Sequence, residues 1–232
     1  PDNVWMAVIL TLGLGLLVGL IHAFLINEFN LSPFVVTFAS LFILQGISLT
    51  ITTKPIGRAS RDFLMLYSQK FLGVPIIVYY FILITLLIMF LLRKTVFGKH
   101  IYAIGGNLSV AQLSGIPVKR VRYGVYGLCS VLAASTGLLW LMRMGVGDPV
   151  IGKELELNAI IAVVIGGTSL FGGRGTVTGV LGGILLLTFT DNLLVVLGVN
   201  QFISGLIKGI IFVIAVAFYK QADRARGGFS GP

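Results

Sequence analysis

Cysteine, histidine and charge are scarce in this sequence, and each shortage removes a class of chemistry. Cys129 is the only cysteine among 232 residues, so the chain can form neither an intrachain disulfide nor a thiolate zinc site. His22 and His100 are the only histidines and lie far apart, which argues against a histidine-based metal cluster. Charged residues make up 11% of the chain, against about 25% in an ordinary globular domain. So few charges cannot cover a water-facing surface. Acids are the rarer sign, 8 Asp and Glu against 17 Lys and Arg, giving a net charge of +9. That balance could suggest nucleic acid, but basic loops flanking membrane helices explain it better, and no nucleic-acid partner is expected. A basic signal-peptide start is also lacking. The chain opens with Pro1 and a short polar lead, and it reads as a piece of something longer.

What remains is apolar. Hydrophobic residues reach 56% and the mean hydropathy is +1.01, in blocks near the ~20 residues that cross a ~30 Å hydrocarbon core. The 30 glycines suit membrane helices, where glycine is commoner than in soluble ones. Disorder is excluded by the hydrophobicity, and collagen by the lack of a G-x-y period. Seven apolar segments can be read, at residues 4–26, 34–53, 75–92, 125–144, 157–171, 176–196 and 202–219. They are continuously apolar and too long for membrane strands. The expected fold is an all-α integral membrane protein with about seven transmembrane or re-entrant helices, forming one domain over residues 1–232. Residues 54–73 mix Lys54, Arg58, Arg61 and Lys70 with Phe63, Leu64, Leu66, Tyr67 and Phe71, as an amphipathic segment on a membrane surface would.

Basic residues set the orientation. Residues 93–122 hold Arg93, Lys94, Lys99, Lys119, Arg120 and Arg122 and no acid, so this loop is expected in the cytoplasm. The tail 220–232, with Lys220, Arg224 and Arg226, falls on the same side three spans later. Residues 54–73, and the loop with Asp148, Glu154 and Glu156, then lie outside, and the first span starts outside. An intact protein with a cytoplasmic N-terminus would carry an odd number of spans before Pro1.

Two glycine motifs are near misses. Gly147-Asp-Pro-Val-Ile-Gly152-Lys153-Glu154 almost spells a P-loop, but it has Glu154 where Ser or Thr should hold magnesium, and it sits between membrane spans. Gly13, Gly15 and Gly19 miss the dinucleotide spacing. The pairs Gly15/Gly19, Gly179/Gly183 and Gly205/Gly209 suit close helix packing instead. No nucleophile–base pair is visible, and no catalysis is expected of this chain.

Three features stand out. The first is Tyr102-Ala-Ile-Gly105-Gly106-Asn107-Leu108-Ser-Val-Ala111-Gln-Leu-Ser114-Gly115-Ile116-Pro117. Asn107 can cap a helix of about two turns over residues 108–114, and Gly115 with Pro117 stops it. Leu108, Ala111 and Ile116 could form a small apolar face that docks into a partner, or one that rests on lipid. The second is Gly166-Gly167-Thr168-Ser169-Leu-Phe-Gly172-Gly173-Arg174-Gly175-Thr176, which breaks the chain after only about ten apolar residues. Non-helical backbone at membrane depth needs a protein or wet-cavity environment, so this is either a break beside a translocation path or a turn near the inner surface. The third is Asp191 and Lys208, each about eight residues from the turn at 198–201, hence at similar depth in a hairpin, roughly 12 Å from its end. Intramembrane charges are expected to pair and to mark function. Asn192 adjoins them.

Taken together, Phe97-Gly98, Tyr102 to Asn107, Ser114-Gly-Ile116, Glu156 to Gly175, and Leu197-Gly-Val199 followed by Lys208 resemble the permease subunits of bacterial binding-protein-dependent ABC importers of the ribose, xylose, arabinose and galactose class. The last 140 or so residues match almost throughout, and residues 33–44 resemble that family's earlier proline-led helix. The resemblance implies a subunit of about ten spans in its intact form. It would dimerise with a second permease subunit, as homodimer or heterodimer, around a sugar path in the bacterial inner membrane. A separate ATPase subunit would hold ATP and magnesium, leaving this chain without cofactor or metal, and a periplasmic sugar-binding protein would deliver substrate.

The same resemblance makes Gly105, Gly106, Asn107, Leu108, Ala111, Ser114, Gly115 and Ile116 the ATPase-coupling element. Gly166, Gly167, Thr168, Ser169, Asp191, Asn192 and Lys208 become candidates for the path or gate. Two departures stand. The family's upstream Gly-Gly-Ile-Asp-Leu-Ser-Val-Gly-type segment is missing, so the chain resembles a permease without its first few spans, and Asp191 occupies a position where relatives look asparagine-like. The alternatives are an ion-coupled secondary transporter or channel built on Asp191 and Lys208, and a non-transporting membrane subunit of a larger enzyme.

Overall fold

The computed structural model describes residues 4–153, 155–170, 172–200, 203–211 and 213. Helices dominate: α1 (Val4–Glu28), α2 (Pro33–Ile51), α3 (Arg61–Ser68), α4 (Ile76–Lys94), α5 (Val96–Gly106), α6 (Leu108–Leu113), α7 (Val118–Met144), α8 (Leu155–Ile165) and α9 (Val177–Val196). Residues 203–211 are also helical. Among the described residues, α1, α2, α4, α7 and α9 are long and apolar enough to cross a membrane. This is an all-α, multi-pass membrane protein. At 11 residues, α8 rises only ~16 Å and is a half-span. Residues 202, 212 and 214–219 of the segment expected at 202–219, and the whole tail 220–232, fall outside the described residues.

Contacts divide the chain into two compact units, residues 1–101 with 109–153, and residues 102–108 with 154–232. In the first, α1 packs antiparallel on α7. Without a hydrophobic force between helices in lipid, close approach must come from small residues, and α1 supplies Gly15 and Gly19. A Cβ on Gly15 would fall 2.6 Å from Ala134 Cβ, and one on Gly19 would fall 2.5 Å from the Tyr126 carbonyl oxygen. Ala23 and Ile26 are buried on the same helix. By contrast none of the residues of α4 is buried.

The end of this unit where α1 begins is tied by backbone. Ile56 and Gly147 exchange N–H···O bonds of 2.9 and 3.0 Å, and Ala59 N–H donates to the Gly145 carbonyl. A two-residue hairpin, β1 (Lys70–Phe71) and β2 (Val74–Pro75), follows α3. Leu72 and Gly73 turn it with φ of 50° and 80°, the doubly positive geometry that matches strand twist in a tight hairpin.

The reading of residues 93–122 as a loop with one short helix needs correction, because α5 fills most of its first half and α7 begins at Val118 rather than near 125. Thr95 separates α4 from α5: its hydroxyl donates to the Leu91 carbonyl and accepts from Gly98 N–H. Gly98 lies so close to the Leu91 and Leu92 carbonyls that no side chain fits there. With 27 residues, α7 is ~40 Å long and overshoots the ~30 Å core. Lys119, Arg120 and Arg122 therefore belong to the start of a membrane helix whose sequence signal begins only near 125.

The second unit is built on α8 and α9. Ile161, Ala162 and Leu187 form its core with Ile165 against them. Gly179 and Gly183 let the backbones touch, since a Cβ on Gly183 would collide with the Ala162 carbonyl and one on Gly179 with that of Gly166. Gly205 and Gly209 do not behave this way. Among the described residues no atom lies within 4 Å of where their Cβ would be.

Candidate functional site

The short helix α6 is closed by a motif that its sequence specifies. Gly115 adopts φ 75°, which glycine alone takes without a side-chain penalty. Its N–H donates to the Gln112 carbonyl and Ile116 N–H donates to the Ala111 carbonyl, at 3.0 and 3.1 Å. These paired bonds are the Schellman closure of a helix C-terminus. Ser114 continues the turn, its hydroxyl donating to the Val110 carbonyl. Ala111 is buried, Ile116 is partly covered, and Asn107 and Leu108 are exposed. The apolar face read from Leu108, Ala111 and Ile116 thus turns partly inward. The outward apolar pair is Val110 and Leu113, exposed by 57% and 89%. Sequence reasoning passed over both, although their i, i+3 spacing was the available signal.

The glycine-rich break after α8 is also ordered by hydrogen bonds. Gly167, at φ 80°, ends α8 with the same closure: its N–H donates to the Val164 carbonyl and Thr168 N–H to the Val163 carbonyl. Ser169 N–H donates to the Arg174 carbonyl at 2.9 Å, closing a turn in which Gly172 and Gly173 take φ of 94° and 74°. Thr176 then caps α9 by accepting from Gly179 N–H at 3.1 Å. Inside the turn, Thr168 Oγ1 is buried with no hydrogen-bond partner among the described residues. A Cβ on Gly175 would strike that side chain.

These two features, read separately in sequence, meet in the second unit. Gly105 and Gly106 at the end of α5 lie against Gly172 and Gly173, backbone on backbone. A Cβ on Gly172 would fall 2.7 Å from the Gly105 carbonyl oxygen, and one on Gly173 would fall 2.7 Å from Gly106 Cα. Beside them Tyr102 donates its hydroxyl to the Gly175 carbonyl at 2.9 Å.

The two intramembrane charges pair, with Lys208 Nζ 2.9 Å from Asp191 Oδ1 and the side chains 19% and 42% exposed. Asp191 continues the stripe Gly183, Leu187 and Leu194 that α9 buries. Asn192 takes no part, because its amide is exposed and donates to the Thr188 carbonyl of its own helix. The near-miss P-loop is no phosphate cradle. Asp148 accepts from Val150 N–H, placing a carboxylate where phosphate would sit.

Elsewhere in the first unit, Asn27 is buried and was not foreseen. Its amide donates to the Lys119 carbonyl at 3.2 Å and its oxygen accepts from Arg122 at 3.4 Å, while the neighbouring Glu28 pairs with Lys119 at 2.9 Å. That unit also holds a cavity of about 550 Å³ lined by Trp5, Phe63, Tyr80 and Leu138 among others. Its few hydroxyls, such as Ser135 and Tyr67, suit an apolar occupant better than a polyol, whose hydroxyls each need a partner.

Comparison with known proteins agrees with this architecture. A family described as "Branched-chain amino acid transport system / permease component" matches residues 1–216. The probable ABC transporter permease protein YphD of Escherichia coli (strain K12) is 41% identical over 81% of this chain and 57% of its own length. The ribose import permease protein RbsC of Bacillus subtilis (strain 168) is 39% identical over 84% of this chain and 62% of its own. The L-arabinose ABC transporter permease protein AraH of Azospirillum brasilense is 35% identical over 89% and 62%. The chain thus spans about three-fifths of the length of these relatives. No solved structure matches it significantly.

Proposed function

Because the chain belongs to the branched-chain amino acid transport system permease family, we propose that it is the membrane subunit of an ATP-driven importer carrying a monosaccharide across the bacterial inner membrane by alternating access. The sugar is suggested by relatives whose names specify ribose and L-arabinose, each more than 30% identical to this chain. In this reading one transmembrane domain pairs with a second permease subunit. A periplasmic binding protein supplies solute to the outer loops. Energy comes from a separate ATPase subunit, which holds the ATP and magnesium. The chain itself catalyses nothing.

The observation that carries the proposal is α6. Six residues long, it is closed by a glycine, anchors itself by burying Ala111 and leaves Leu108 and Leu113 exposed. Exposed apolar side chains on a rigid helix are what a groove on a partner can grip. Closure of the ATPase dimer would push on residues 105–116, tilt the adjoining helices and change which side the solute cavity faces. Asp191, Lys208 and the turn at Gly166, Gly167, Thr168 and Ser169 lie along the path or gate.

The test is association. In the intact permease, replacing Leu113 with Asp places a charge in the groove and should reduce ATPase co-purification by about tenfold, the equivalent of ~1.4 kcal/mol. Deleting residues 108–114 should abolish it. Unchanged co-purification in both would remove α6 from the coupling role.

A further inference from the structure

We propose that the contact of Gly105 and Gly106 with Gly172 and Gly173, latched by Tyr102, is the joint through which a push on α6 reaches the α8–α9 hairpin, with Tyr102 as its positioning residue. This rests on the importer reading above and identifies where force would enter the helices.

The geometry has the properties such a joint needs. Gly106 is joined to α6 through Asn107 alone, so displacement of the short helix acts directly on the end of α5. There the chains meet without intervening side chains, and Gly105, Gly172 and Gly173 leave no room for even a Cβ, while Gly106 offers its backbone to Gly173 and would itself tolerate one. Packed backbone has little slack, and close-packed interiors pass displacement on rather than absorb it. Gly172 and Gly173 are held in left-handed conformations, with the turn closed from Ser169 to Arg174.

The hydrogen bond from Tyr102 supplies the pull that steric contact cannot. It ends on the Gly175 carbonyl, one residue before the Thr176 cap from which α9 starts. Backbone contact transmits a push toward the hairpin, and the tyrosine hydroxyl transmits the return. The element being moved carries Asp191, and its turn packs the Thr168 side chain against Gly175.

The experiment uses the intact permease assembled with its ATPase and binding protein in vesicles. Solute moved per ATP hydrolysed is measured for wild type, Tyr102→Phe and Gly105→Ala, with ATPase co-purified per permease as the assembly control. Tyr102→Phe keeps the ring and removes one hydrogen bond, so solute per ATP should fall about five-fold, the equivalent of ~1 kcal/mol, with co-purification unchanged. Gly105→Ala should fall further, because its methyl must part the backbones. If Gly105→Ala does not assemble, Tyr102→Phe carries the test.

A wild-type ratio in Tyr102→Phe overturns the joint, and so does a loss of transport that tracks lost assembly, which would make the contact mere packing. These results leave the importer reading standing, whereas a wild-type complex that moves no solute on ATP overturns that reading and the joint with it.

Discussion

Lys208 and Asp191 form an ion pair of 2.9 Å between α9 and the helical segment that follows the turn at 198–201. Neither charge would enter a bilayer readily alone, since insertion of one at mid-depth costs ~3 kcal/mol. Replacing Lys208 with Met strands the carboxylate and should lower the yield of assembled permease. The double change Asp191→Asn with Lys208→Met removes both charges and should restore that yield. If the pair serves the gate, solute uptake by the double variant stays depressed by about tenfold, or ~1.4 kcal/mol of barrier. Wild-type uptake at restored yield would make the pair purely structural.

Neighbouring glycines in α9 should respond oppositely to alanine. Gly183 abuts the Ala162 carbonyl, whereas Gly182 faces open space. Gly183→Ala should destabilise the protein by ~1–3 kcal/mol through overpacking. Gly182→Ala should stabilise it by up to ~1 kcal/mol through helix propensity. Thermal unfolding of the two variants in the same detergent compares them directly. An equal response would place α8 and α9 farther apart than described.

At the other polar contact, burial decides the ranking. Asn27 is 5% exposed and bridges Lys119 and Arg122. Its replacement by Ala orphans their partners and should cost ~1–3 kcal/mol. The Glu28–Lys119 pair is 43% and 62% exposed, so Glu28→Gln should change stability by less than ~1 kcal/mol, and by less again at high salt. A larger effect at Glu28 than at Asn27 would contradict this ordering.

The long helices could be read directly, because ~20 apolar residues have few fates other than a span. The pairing of Asp191 with Lys208 also came from counting back from a turn. Position along a helix was harder. Lys119, Arg120 and Arg122 look like loop residues until α7 is seen to begin at Val118, which makes it longer than a ~30 Å hydrocarbon core requires. Identical glycine spacing at 179/183 and 205/209 gave no sign that, among the described residues, the first pair meets another backbone and the second does not. Nor could the meeting of Gly105 with Gly172 be inferred, since contact between distant glycines leaves no periodic trace. Asn27 lies just past the first apolar segment, and only its burial against α7 distinguishes it.

The most direct measurement is solute uptake into vesicles containing the intact permease with its ATPase and binding protein, loaded with radiolabelled pentoses or hexoses outside. Uptake that starts with ATP, stops when hydrolysis is blocked and ignores an imposed proton or sodium gradient is the predicted result. Accumulation driven by such a gradient, with no ATPase present, would contradict the account.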